Sequence, residues 1–258
     1  MRNILTFVLM GFLVARAGAQ SILFDFENAT VHSPLPISLT VSGVTAQFLG
    51  TGEGYSVQQA NTMGFTPVGF SGLCIYPSSV FAADLLVSFS VALTDFSILY
   101  APQELACDSS ATMRVTAYMD SVLVGTATTN AVAGTWPSET LAFSSKQPFN
   151  HVVVHYDKAP VTGGDYGPIF LADNMMVTPA PPPIVLTDAR MLSSGVFQFA
   201  FSNTPNATFT VLSATNPAPS VAQWSVLGAA SEISPGLYQC VDQQATNRSP
   251  CFYRVRSP

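Results

Sequence analysis

The sequence predicts an all-β chain, with an N-terminal jelly roll or β-sandwich over residues 20–178 followed by a small immunoglobulin- or fibronectin-like β-sandwich over residues 185–258. Three observations carry this. Short runs rich in Val, Ile, Phe, Thr and Tyr recur between clusters of Gly, Pro, Asn, Asp and Ser, the pattern of many short strands joined by turns. No stretch sustains a 3.6-residue apolar period for three turns between helix caps, so helix signals are almost absent. A single proline-rich break, TPAPPPIV, then divides the chain and predicts a polyproline-type linker over residues 179–184.

The chain opens with MRNILTFVLMGFLVARAGAQ. Arg2 forms a short basic start, an uncharged apolar stretch follows, and Ala17-Gly18-Ala19 offers small residues before a cut, so residues 1–19 read as a secretory signal peptide. The apolar stretch is shorter than the ~20 residues that cross a bilayer. Export is therefore expected, with a secreted, extracellular product that inserts into no membrane.

The strand runs follow in order. In the first domain they are SILFDFE (21–27), LLVSFSVAL (85–93), TMRVTAYMD (112–120), SVLVGTATT (121–129), FNHVVVHYD (149–157) and IFLADNMMV (169–177). Met113, Val115, Ala117 and Met119 alternate with Arg114, Thr116, Tyr118 and Asp120, as a half-buried strand requires. Asp120-Ser121 then predicts a tight hairpin. The second domain repeats this character in VFQFAFSN (196–203), ATFTVLSAT (207–215), SVLGAAS (225–231), LYQCVD (237–242) and CFYRVRS (251–257), with Trp224 as the expected core plug.

His151 and His155 lie four apart, a zinc-binding spacing on a helix, but on a strand they stand roughly 13 Å from each other on one face. Val152 also occupies the position where a zinc protease motif needs Glu. They read as strand histidines. The four cysteines suit an oxidising compartment and allow three pairings. Separation along the chain favours Cys74–Cys107 and Cys240–Cys251. Loss of Arg2 and Arg16 with the leader takes the basic count from 9 to 7 against 15 acids, so the net charge goes from −6 to −8. No Lys/Arg cluster remains, which argues against a nucleic-acid or anionic-lipid partner. The N-x-S/T triplets at Asn28, Asn206 and Asn247 read as turn chemistry.

Two resemblances add to this. The C-terminal stretch carries TFTVLSATN (208–216), WSVL (224–227), DQQATN (242–247) and FYRV (252–255). It resembles a small β-sandwich module that closes many secreted bacterial proteins, which implies an accessory domain for display, spacing or attachment. The N-terminal domain has an opening strand ending in Phe24-Asp25-Phe26-Glu27, a hairpin reading VTAYMDSVLVGTATT, and a closing strand with Ala172-Asp173-Asn174. Through these it is similar to galactose-binding-like jelly rolls, the carbohydrate-binding modules of exported bacterial proteins. That likeness implies a structural calcium held by Glu27 and Asp173, with Asp25 and Asn174 beside them. Calcium takes six to eight oxygens, so loop carbonyls and Glu53 are the expected remainder.

The resulting expectation is a binding module without catalytic activity whose partner is a polysaccharide or other glycan. Sugar sites set an aromatic face against the ring and polar groups around it. Trp136 in AGTWPSE and Tyr166 in GGDYGP are the candidate platforms, with Asp165, Glu139 and Asn150 as polar neighbours. The alternative is an extracellular structural or surface-interaction protein, suggested by a mean hydropathy of +0.35 and 9% charged residues. A glycoside-active enzyme is the weakest reading. It needs two carboxylates about 5–10 Å apart, and no nucleophile elbow or phosphate loop is present in the sequence.

Overall fold

The structure, a computed structural model, describes residues 20–62, 64, 66–79, 81–102, 112–131, 137–158, 169–192, 195–247 and 251–256. The chain forms two compact units, one ending at Ala180 and the other beginning at Pro181.

The first unit contains β1 (Ile22–Phe24), β2 (Ile37–Val41), β3 (Val44–Gly50), β4 (Tyr55–Gln59), β5 (Leu73–Pro77), β6 (Leu85–Pro102), β7 (Thr112–Met119), β8 (Val122–Asn130), β9 (Glu139–Lys158) and β10 (Phe170–Pro179). Every pairing is antiparallel, and the hydrogen-bonded path runs β4-β5-β10-β6-β9-β7-β8, with β3 on β6, β2 on β3 and β1 on β10. The two long strands belong to both layers of the sandwich. The first part of β6 lies between β3 and the end of β9, and its second part lies between β10 and the start of β9.

The bend is written into the burial. On β6 the residues buried in the main core are Leu85, Val87, Phe89 and Leu93, then Phe96, Ile98 and Tyr100, so the inward parity switches from odd to even. On β9 it switches from Leu141 and Phe149 to Val152, Val154 and Tyr156. Register shifts between Ser88, Leu93 and Asp95 mark the place. An extra residue turns a strand's pleat over, and here it keeps apolar side chains inward as the sheet folds. Residues from both layers, among them Phe48, Val87, Val152, Phe24, Phe96 and Leu141, accordingly share one core.

The second unit contains β11 (Leu186–Met191), β12 (Phe197–Ser202), β13 (Thr210–Ala214), β14 (Ser225–Ala229), β15 (Ser231–Ser234), β16 (Leu237–Asp242) and β17 (Phe252–Arg256). They form a β11-β12-β16-β15 sheet and a β14-β13-β17 sheet. The all-β expectation holds in both units, and among the described residues the only helical segments are the short 3-10 turns Val221–Gln223 and Ala245–Asn247.

Two expectations about the second unit are corrected. Trp224 does not plug the core. It caps the first 3-10 turn half-exposed, donating its indole N–H to the Pro219 carbonyl at 3.2 Å. The centre is filled by Phe199, Phe201, Phe209 and Tyr238, with Phe201 stacked on Tyr238 at 5.3 Å. Phe199, Phe201 and Tyr238 point inward from the paired strands β12 and β16, and Phe209 enters just before β13, whereas Trp224 follows a turn. The expected disulfides are also absent among the described residues. Cys74, Cys240 and Cys251 are unbonded thiols, and Cys107 lies outside the described residues. Cys240 and Cys251 belong to neighbouring segments in sequence but not in a sheet, since β16 pairs with β12 and β15 while β17 pairs with β13. Cys74 is fully buried in a small apolar cluster with Ala60, Phe70, Ala101 and Leu171.

Candidate functional site

Two places in the first unit gather chemistry. The first is where β1 leaves the sheet beside β10. Phe24 pairs with Met175, and a bulge between Asp173 and Met176 puts Asn174 in the left-handed region at φ 48°. Asp173, in register with Leu99 just before the bulge, is covered by the loop at Ser71 and is 1% exposed. Its carboxylate accepts the Asn174 N–H at 2.7 Å and the Ser71 N–H at 3.4 Å. Glu27 accepts the Leu73 N–H at 3.0 Å. A Cβ at position 72 would run into the Glu27 carboxylate, so Gly72, at φ 55°, is the residue that lets the acid and the loop meet. Asn174 donates its side-chain amide to the Gly69 carbonyl at 3.2 Å, and Asp25 accepts the Glu27 N–H at 3.3 Å.

The fold therefore brings Asp25, Glu27, Asp173 and Asn174 to one locus. Its electrostatics are strained. Burial first, and the nearby charges of Glu27 and Asp25 second, push the Asp173 carboxyl up to about 7 against the two backbone hydrogen bonds that pull it down. The donor chemistry is all oxygen, which fits a hard cation such as calcium. Among the described residues no three His, Cys, Asp or Glu side chains converge closely enough to hold one ion as they stand. Carbonyl and amide oxygens from the 69–73 loop and Asn174 would have to complete the shell. Glu53 lies instead on the exposed turn between β3 and β4, whose neighbour Thr51 is hydrogen-bonded to Asp84.

The second place is the outward face of the layer β3-β6-β9-β7-β8. Directly opposed residues share a face, so the register defines rows across the strands. One row runs Gln47, Ser88, His151, Tyr118 and Leu123. The next runs Leu49, Leu86, Val153, Thr116 and Thr126. A third holds His155, Arg114 and Thr128, joined by Asp84 and Asp157. In the first row Ser88 and His151 share a 2.9 Å hydrogen bond through Nδ1, and the His151 ring lies 5.9 Å from that of Tyr118. Burial lowers the His151 pKa. In the third row His155 Nδ1 meets Asp84 at 2.5 Å and Arg114 Nη1 meets Asp157 at 2.6 Å. Arg114 Nε is buried without a hydrogen-bond partner. The strand reading of the two histidines is thus what the fold shows.

Of the five sequence-predicted glycan residues, two lie in the described part of the chain. Trp136, Tyr166 and Asp165 lie outside the described residues. Glu139 begins β9 and accepts the Thr140 N–H at 2.8 Å. Asn150 sits eleven positions further along the same strand, on the order of 30 Å away. Its amide clasps Asp120, accepting the N–H at 2.8 Å and donating to Oδ1 at 2.9 Å, which fixes the β7–β8 turn. The face residues Ser88, Tyr118 and Gln47 were not singled out from sequence. Parity along each strand marks which side Tyr118 faces, but only the pairing sets it beside His151.

No protein-family model and no curated protein matches this sequence. Among solved structures, the chain is similar to the K1 cleaved adhesin domain of Lys-gingipain from Porphyromonas gingivalis, at 14% identity over 62% of this chain and 99% of that chain, with a TM-score of 0.36. It is also similar to the CBM22-1–GH10 modules of xylanase 10B from Clostridium thermocellum, solved with xylohexaose, at 13% identity over 64% of this chain and 30% of that chain, with a TM-score of 0.31. A third is the CBM51-2 and INT domains of Clostridium perfringens ZmpB, at 11% identity, 56% and 40% coverage and a TM-score of 0.29. At these scores the β-sandwich rests on the strand pairing itself.

Proposed function

We propose that this chain is an exported binding module without catalytic activity, that its ligand is a carbohydrate, and that a calcium ion braces the Glu27–Asp173 locus. The observation that carries the ligand reading is the open face centred on Tyr118 and His151. An aromatic pair held by a cross-strand hydrogen bond, beside a row of hydroxyl and amide groups, suits the C–H face and the hydroxyls of a sugar ring. Retention of the full chain on a panel of immobilised polysaccharides tests it. Tyr118→Ala, checked for an unchanged melting temperature, is expected to weaken retention at least about tenfold. No retention of the parent protein on any polymer would sink the reading and favour a surface-interaction role. The exposed cross-strand pair Leu23 and Met176, 45% and 44% accessible, is an apolar contact of the kind that role would use.

The calcium reading rests on the buried Asp173 carboxyl with two further acids near it. A bound cation would favour the ionised form that burial opposes. At about 100-fold excess over its Kd the ion adds about 2.7 kcal/mol, which should raise the melting temperature by about 5–10 °C for a domain of this size. Asp173→Asn should abolish the difference between calcium and chelator. Equal melting temperatures for the parent protein in both buffers would refute the ion.

A further inference from the structure

The outward face of β3-β6-β9-β7-β8 has a layout that narrows the ligand beyond its being a sugar. Its middle row has an apolar part: Leu49, Leu86 and Val153 lie side by side, each partly buried, and Thr116 continues the line. Polar rows flank it, each two residues along the strands and so about 7 Å away. Across the five strands the stripe runs roughly 20 Å. An apolar floor between two hydrogen-bonding walls, perpendicular to the strands, is a track for an extended polymer and not a pocket for one ring.

The walls are also balanced in charge. Arg114 is the one guanidinium on this face, and Asp157 holds it at 2.6 Å. His155, its cross-strand neighbour, is held by Asp84. In that row two carboxylates thus stand against one permanent cation and one histidine, and the row of Gln47, Ser88, His151 and Tyr118 holds no Lys or Arg among the described residues. The chain around them carries 15 acids against 9 bases. A polyanion laid here would meet two acids and a field of its own sign.

We infer that this face takes a neutral, extended glycan chain lying across the strands over Leu86 and Val153, and that the carboxylates of Asp84 and Asp157, held against His155 and Arg114, exclude acidic polysaccharides. This rests on the carbohydrate reading above and specifies its substrate class. The probes are linear neutral glucan and mannan against polygalacturonate, each immobilised in a native gel, with the full-length chain.

The parent protein should be retarded by at least one neutral polymer, equally at about 20 and about 500 mM NaCl, and not by polygalacturonate. Leu86→Lys should cut that retention by at least about tenfold with its melting temperature kept. The Asp84→Asn/Asp157→Asn double variant should acquire retention on polygalacturonate that salt removes. Parent retention on polygalacturonate, or a neutral-polymer retention that collapses with salt, would overturn the charge argument while leaving carbohydrate binding standing. Unchanged retention of a folded Leu86→Lys would overturn the track. Absence of retention on every polymer would end both this inference and the reading beneath it.

Discussion

Asp173 shows how burial and neighbouring charge set the acidity of a single residue. A carboxyl that is 1% exposed and sits near Glu27 and Asp25 holds its proton far more tightly in the folded chain, at about 7, than at its ordinary value of 3.8. The folded state then binds more protons than the unfolded one between those values. The stabilisation is complete below about pH 4 and is lost as pH rises to about 7. In chelator, the denaturation midpoint should therefore fall across that window, and Asp173→Asn should flatten the slope. Calcium, by favouring the ionised acid, should flatten it too. A midpoint that rises with pH in chelator would contradict this. The sequence named the four residues of this locus as candidate ligands through a resemblance, and the pairing of β1 with β10 sets them near one another. It did not reveal Gly72 or the Ser71 and Leu73 amides, since the 59–72 loop carries no periodic signal and its approach to Glu27 is purely tertiary.

At the scale of strands, the alternating runs were readable and the irregular ones were not. MRVTAYMD gave the faces of β7 from its parity alone, and Asp120-Ser121 gave the hairpin. The strands β2 to β5 are short and lie between dense turn formers, so their pattern is diluted. The bends in β6 and β9 defeat parity outright, because one run of residues serves two layers with opposite phase. The candidate face escaped for a related reason: its first two rows draw one residue from each of five strands, and register is invisible until the strands are paired. The β7–β8 turn also reassigns Asn150, which serves as a clasp with Asp120 and its two hydrogen bonds. Asn150→Ala, which loses both bonds, should cost about 1–2 kcal/mol in urea denaturation, whereas Asp120→Gly, which keeps its backbone N–H bond to Asn150 and suits the φ of 54°, should cost less, with the double variant no worse than Asn150→Ala. Additive losses would show that the two side chains do not act together.

At the scale of the whole molecule, the compact units divide between Ala180 and Pro181, inside the proline-rich stretch. Pro181, Pro182, Pro183 and Val185 are exposed, and exposed, extended segments are where proteases cut first. Limited elastase digestion of the full chain should yield two protected fragments whose new ends fall near residues 181–185. Early cleavage inside β6 or β9 would argue that the first unit is not the stable body described.

The pairing of Ile22 with Val177 has a consequence for how such a domain is made and reused. The strand that opens it finds its neighbour only when the strand that closes it has been synthesised, so the fold cannot be completed from the N-terminal end forward. Its entrance and exit also leave from adjacent strands. A cassette with both ends on one side can be spliced into the loop of a host protein with little strain on either, which makes this β-sandwich portable.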